Sequence, residues 1–140
     1  MTSPLSIRFD KALLERLRRR AVIEASTASG LAQRLVDEGL RAREHPGIVF
    51  KDGPSGRRAA LVAGPDVWEV VAAVRGAGAK DEKRAVAIAA RDLSLSPTQI
   101  RLALDYYGSY AEEIDAQITE NRLAATEALA ASQARQRLLA

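Results

Sequence analysis

Cysteine is absent from this 140-residue chain, and histidine occurs once, as His45. Disulfides, thiolate zinc sites and cysteine nucleophiles are therefore excluded, a metal site would need carboxylates alone, and general acid–base catalysis lacks its usual imidazole. Aromatic residues are scarce too, at one tryptophan, three tyrosines and two phenylalanines. Alanine, leucine and valine carry most of the 47% hydrophobic fraction, which favours helices over a β-sandwich. No run approaches the roughly 20 apolar residues of a membrane span, and the first residues lack the apolar core of a signal peptide. The expectation is a cytoplasmic protein without a membrane partner, a cofactor or a metal. Its length fits about one domain, or two small ones helped by oligomerisation.

The net charge of +3 is unevenly placed. Residues 1–50 carry nine Lys/Arg against six Asp/Glu, residues 51–110 nine against seven, and residues 111–140 three against five. A basic body followed by a different tail fits nucleic-acid binding at one end and another partner at the other. Solvated helix faces can look the same, so charge alone decides nothing.

The most informative stretch is the first 44 residues. Leu5, Ile7 and Phe9 alternate with Ser6 and Arg8, the period of a strand with one buried and one wet face. Asp10 reads as a helix N-cap, and Phe9 and Leu14 sit at the positions of a hydrophobic staple. Leu13, Leu14, Leu17 and Ala21 then recur at helical spacing while Arg16, Arg18, Arg19 and Arg20 face outward. A turn with a second cap spans Ala25 to Gly30, and Leu31, Leu35, Val36, Gly39 and Leu40 form another stripe that ends at His45-Pro46-Gly47. One strand and two helices bury too little surface to stand alone, so the segment calls for a second copy of the chain.

This order of strand, helix and helix resembles the ribbon-helix-helix repressors of the MetJ/Arc/CopG type, over roughly Pro4 to Arg43. The resemblance implies that two chains pair their strands into an antiparallel ribbon that enters the DNA major groove. It would put Ser6 and Arg8 on the groove side, where an arginine fork suits a guanine edge. Lys11 and the helix start near Thr27 would then hold phosphates. The plain alternative is an amphipathic helical hairpin whose leading strand has no role.

His45-Pro46-Gly47 marks the expected boundary of a second unit. Ile48–Phe50 and Ala59–Val62 flank the turn-forming Asp52-Gly53-Pro54-Ser55-Gly56, which predicts a β-hairpin. The glycine spacing is not that of a phosphate-binding loop, and no Gly-Lys-Ser/Thr follows. Asp66 with Glu69 caps a helix that turns Val67, Val70, Val71 and Val74 inward, and Trp68 is expected to pack against a small core. A further helix spans Asp81 to Arg91 with Ala85, Ile88 and Ala89 inward. Ser96-Pro97-Thr98-Gln99 is a capping box with proline at the first helical position, before a helix expected to bury Ile100, Ala103, Leu104 and Tyr107. Two helices so joined resemble a helix-turn-helix whose second helix is led by Thr98, Gln99 and Arg101.

The wording of the segment carries a second resemblance. His45-Pro46-Gly47-Ile48-Val49-Phe50, Gly56-Arg57-Arg58-Ala59-Ala60-Leu61, Asp66-Val67-Trp68-Glu69-Val70, Leu95-Ser96-Pro97 and Ala103-Leu104-Asp105-Tyr106-Tyr107 are similar to a small bacterial domain of helix-turn-helix type. That originally uncharacterised family occurs in antitoxins paired with PIN-domain ribonucleases, and the match spans roughly Pro46 to Glu120.

From Ala111 the chain is alanine-rich and helical, with Glu112, Glu113 and Asp115 read as a solvated acidic first turn. The fold expected is mainly α with small β: a ribbon-helix-helix dimerisation unit at 1–45, a β-hairpin with three helices at 46–110, and a helical tail at 111–140. The resemblances imply an antitoxin of the VapB kind, not an enzyme. It would bind operator DNA as a homodimer or higher oligomer, repress its own operon and neutralise a PIN-domain ribonuclease toxin. Ile114, Ile118, Leu123 and Leu129 would seat the tail on the toxin, and Arg135 or Arg137 would pair with carboxylates of the toxin's metal site. The rival reading is a plain transcriptional regulator without a toxin.

Overall fold

The computed structural model of the chain describes residues 3–54 and 56–140. Helices dominate, with one two-stranded antiparallel sheet. The chain divides into two compact units, Met1–Arg43 and Glu44–Ala140.

The first unit is a helical hairpin. Helix α1, Lys11–Ile23, begins where Asp10 accepts from the Leu13 N–H at 2.8 Å, as the sequence implies. It ends in a Schellman motif, with Ser26 N–H donating to Ala21 O at 2.9 Å and Ala25 N–H to Val22 O at 3.1 Å. The left-handed position of that motif usually takes glycine; here it is Ala25, at φ 51°. Helix α2, Ala28–Glu44, starts at Thr27, whose Oγ1 accepts from Gly30 N–H at 3.0 Å. Glu24 ties the two helices together by pairing with Arg20 and Arg34.

The expected strand at 4–10 is not formed. Residues 3–10 carry no regular secondary structure in this single chain, because a strand needs hydrogen-bonding partners from a neighbouring strand and none lies beside it. Among the described residues of the unit only Ala21 and Leu31 are buried.

The second unit has a core of its own. The backbone turns at His45-Pro46-Gly47, where Ile48 N–H donates to His45 O and Gly47 adopts φ 98°. The backbone angle asks for glycine, and a Cβ there would also press on the movable end of Leu102, 2.9 Å from its Cδ1. Strands β1, Ile48–Gly53, and β2, Gly56–Leu61, pair antiparallel from Ile48↔Leu61 to Gly53↔Gly56. They are longer than the alternation suggested, and Ser55 of the expected turn lies outside the described residues.

Four helices follow: α3 Val67–Gly76, α4 Glu82–Leu93, α5 Pro97–Ser109 and α6 Ala111–Leu138. Local signals set their starts. Asp66 N–H donates to Glu69 Oε2 at 2.8 Å before α3, Asp81 caps α4, and the Ser96/Gln99 box is made in both directions before α5. Helix α4 also closes in a Schellman motif, Leu95 N–H to Ala90 O at 2.9 Å, with Ser94 left-handed at φ 56°. The cluster these elements enclose includes Ile48, Leu61, Val67, Val70, Val86, Ala89, Ile100, Tyr106, Ile114 and Ile118. Trp68 packs half-buried against it, as expected.

Two details correct the sequence reading. Tyr106, not Tyr107, is the buried tyrosine of α5, beside Ile100 and Ala103, with its ring against Phe50, His45 and Tyr110. Helix α6 is no separate tail either, since its first turns insert Ile114 and Ile118 into the core.

Candidate functional site

Four groups of candidate residues can be located. Ser6 and Arg8 are exposed in the segment before α1, and Lys11, also exposed, opens that helix. Leu5, Ile7 and Phe9, interleaved with them, are 82%, 58% and 39% exposed, so the apolar face of the alternation has nothing to cover it. Between α1 and α2 lies an open groove of about 510 Å³, floored by Leu13, Leu17, Ile23, Leu31 and Leu35 and rimmed by Arg16, Arg19 and Arg20. Val36 and Leu40 extend the exposed apolar surface along α2. Thr27 sits at the start of α2 as foreseen, but its hydroxyl oxygen already accepts from Gly30, leaving earlier N–H groups of the turn for an anion.

The second group is only partly suited to reading bases. Thr98 and Arg101 are exposed on α5. Gln99 is half-buried, and its Oε1 accepts from Ser96 N–H at 2.9 Å, so the carbonyl end of that amide is committed to capping. Arg101 shares its face with Asp105, one turn on.

The third group, the expected partner-binding residues of α6, splits in two. Ile114 is 0% exposed and Ile118 7%, so neither is available to a partner; the core has claimed them. Leu123 and Leu129 are exposed, as are Arg135 and Arg137. Every residue from 122 to 140 is exposed, a helical arm that continues for about 25 Å beyond the anchored turns at 1.5 Å per residue. Its root supplies the helical nucleus, so the arm has only to propagate.

The fourth group is the acidic start of α6, which does more than meet solvent. Glu113 Oε2 accepts from the Tyr106 hydroxyl at 2.9 Å. Arg75 Nη2 donates to Asp115 Oδ1 at 2.7 Å and to the Tyr107 oxygen at 2.6 Å, and Tyr107 donates on to Asp115 at 3.0 Å. The Arg75 hydrogen bond holds the Asp115 carboxyl below its ordinary range, and the same bond raises Arg75. Desolvation, then the Asp115 hydrogen bond, pushes the Tyr107 hydroxyl up. This network pins α6 to α3 and α5. The sequence reading missed it, and no local signal could have joined Arg75 to Asp115 across 40 positions.

Asp66 forms a second charge centre and, unlike the half-exposed Arg75 and Asp115, it is buried. At 4% exposure it receives Lys51 Nζ and Arg58 Nε at 3.0 Å each and the Trp68 Nε1–H at 3.1 Å, which ties the hairpin to α3. Its environment is that of a structural ion pair.

No helix among the described residues is long and apolar enough to cross a membrane. A scan against protein-family models and searches of curated proteins and of solved structures each find no match for this chain.

Proposed function

We propose that the chain is a DNA-binding antitoxin that dimerises through residues 1–45, represses its own operon and neutralises a PIN-domain ribonuclease with the arm of α6. The observation that carries this reading is the open apolar face of the first unit. Leu5, Ile7, Phe9, Leu13, Leu35, Val36 and Leu40 stand exposed around two buried side chains, which a monomer in water would not sustain. A second copy that pairs the Leu5–Phe9 segments would cover them and leave Ser6 and Arg8 on the outer face of the ribbon. Lys11 and the start of α2 then serve phosphates. Thr98 and Arg101 remain auxiliary contacts, with Gln99 withdrawn into its cap.

The toxin-binding role rests on Leu123, Leu129, Arg135 and Arg137 alone, since Ile114 and Ile118 belong to the core. That narrower surface also favours a second reading, a plain transcriptional regulator, in which the arm has another use. Co-purification with the product of the neighbouring gene separates the two: co-elution that is lost on deleting residues 122–140 supports the antitoxin, and no co-elution supports the regulator. A shift assay on the upstream DNA tests both. Arg8→Ala should weaken that binding by roughly 1–3 kcal/mol per guanine contact while the dimer persists. Undiminished affinity in the Arg8→Ala dimer would remove the ribbon from the reading site.

A further inference from the structure

The cations of the second unit are unevenly committed. Lys51 and Arg58 pair with Asp66, Arg57 with Asp52, and Arg75 with Asp115. Lys83 and Arg84 of α4 form no ion pair among the described residues, and Arg91 meets only Asp92 at 3.7 Å, beyond hydrogen-bond distance. Helical spacing gathers these three on one side. Ala85, Val86, Ala89 and Ala90 face the core, and Lys83, Arg84, Ala87 and Arg91 form the opposite, solvent-exposed face.

We infer that this face of α4 is a phosphate-contacting surface for duplex DNA, and that it, more than the auxiliary contacts of α5, carries the second unit's contribution to binding. The inference rests on the reading above that the chain binds DNA. Lys83 and Arg91 lie eight residues apart, which at 1.5 Å per residue is about 12 Å. That is comparable to the roughly 12 Å width of the major groove between its two phosphate rails. Ala87 stands between the cations and offers no bulk to hold the helix off. The acidic residues of α4 lie elsewhere: Asp81 is occupied as the N-cap, accepting from Arg84 N–H, Glu82 is in the first turn, and Asp92 borders the strip. An anion seated on the helix start would meet Asp81 and Glu82, so contact falls to the side chains along the helix. Helix α5 offers a single cation, Arg101, with Asp105 one turn on, against three cations along α4.

The test measures binding of the full-length chain to a labelled mixed-sequence duplex of about three helical turns across a salt series. Lys83→Gln with Arg84→Gln and Arg91→Gln should lower the slope of log K against log salt by about one per contact removed in each protomer. Affinity near physiological salt should fall at least about tenfold. Lys83→Arg with Arg84→Lys and Arg91→Lys should keep the slope, and Arg101→Gln should change it little. An unchanged slope in the triple glutamine variant, with its thermal unfolding intact, overturns the inference. So does a variant that keeps its DNA slope but loses co-purification with the neighbouring gene's product, which would assign the strip to an acidic protein surface. Arg8→Ala, run in parallel on the upstream DNA, keeps the readings apart: loss there beside an unaltered triple variant leaves the ribbon standing and removes only α4. Absence of wild-type binding to both duplexes overturns both.

Discussion

The two units are built from the same kinds of residue and reach opposite outcomes. Residues 44–140 close a core of valine, isoleucine, alanine, one leucine and one tyrosine, with helix starts capped and an aspartate neutralised inside. The described residues of 1–43 are capped as carefully, at Asp10 and Thr27, yet bury only Ala21 and Leu31. Caps therefore decide where helices begin, and burial decides whether they persist. A two-helix hairpin has one interface, whereas the second unit gives nearly every element two neighbours.

The contrast is most sharply broken through the core. Tyr106→Ala should destabilise the second unit by about 3–5 kcal/mol, since it empties the largest buried site and removes the hydroxyl that donates to Glu113. Denaturant unfolding followed at Trp68 reads this directly. In the first unit the matching disruption is intermolecular: Ile7→Asp should abolish dimerisation, seen as a single-chain mass of 15.1 kDa by light scattering. For the same reason, unfolding of the first unit should shift with protein concentration while that of the second does not. A concentration-independent first unit would show that it holds together without a second copy.

Asp66→Ala comes next, at about 3 kcal/mol, because it leaves Lys51, Arg58 and the Trp68 N–H without their shared acceptor. Acid should act more locally. The folded Asp115 carboxyl is held below its ordinary 3.8, so its contribution is complete above that value and is lost as the pH falls through the lower, folded one. Hydrogen exchange in the first turns of α6 should rise in that acid window, and Asp115→Asn should blunt the response. The smallest effect is expected at Ala25. Replacement by glycine should raise stability by about 0.5–1 kcal/mol, because the left-handed angle then carries no Cβ penalty. A loss of stability there would mean that unfolded-chain entropy outweighs the relieved strain.

What the sequence alone determined is what neighbours along the chain can decide. Asp10, Asp66, Asp81 and Ser96 start their helices, Pro46 and Gly47 stop one, and the glycines around Pro54 bracket a hairpin. Each depends on bonds spanning a few residues. Choices between adjacent residues needed the tertiary structure. Tyr107 continues the i, i+3, i+4, i+7 stripe of α5 from Ile100, yet the placement of Phe50, His45 and Tyr110 sends Tyr106 inward and leaves Tyr107 to Arg75 and Asp115. The thinly apolar run from Ala111 likewise shows no internal break. Packing against α3 and α5 anchors its first turns through Ile114 and Ile118 and leaves the rest exposed, because burial depends on which surfaces lie opposite and a local pattern records only its own side.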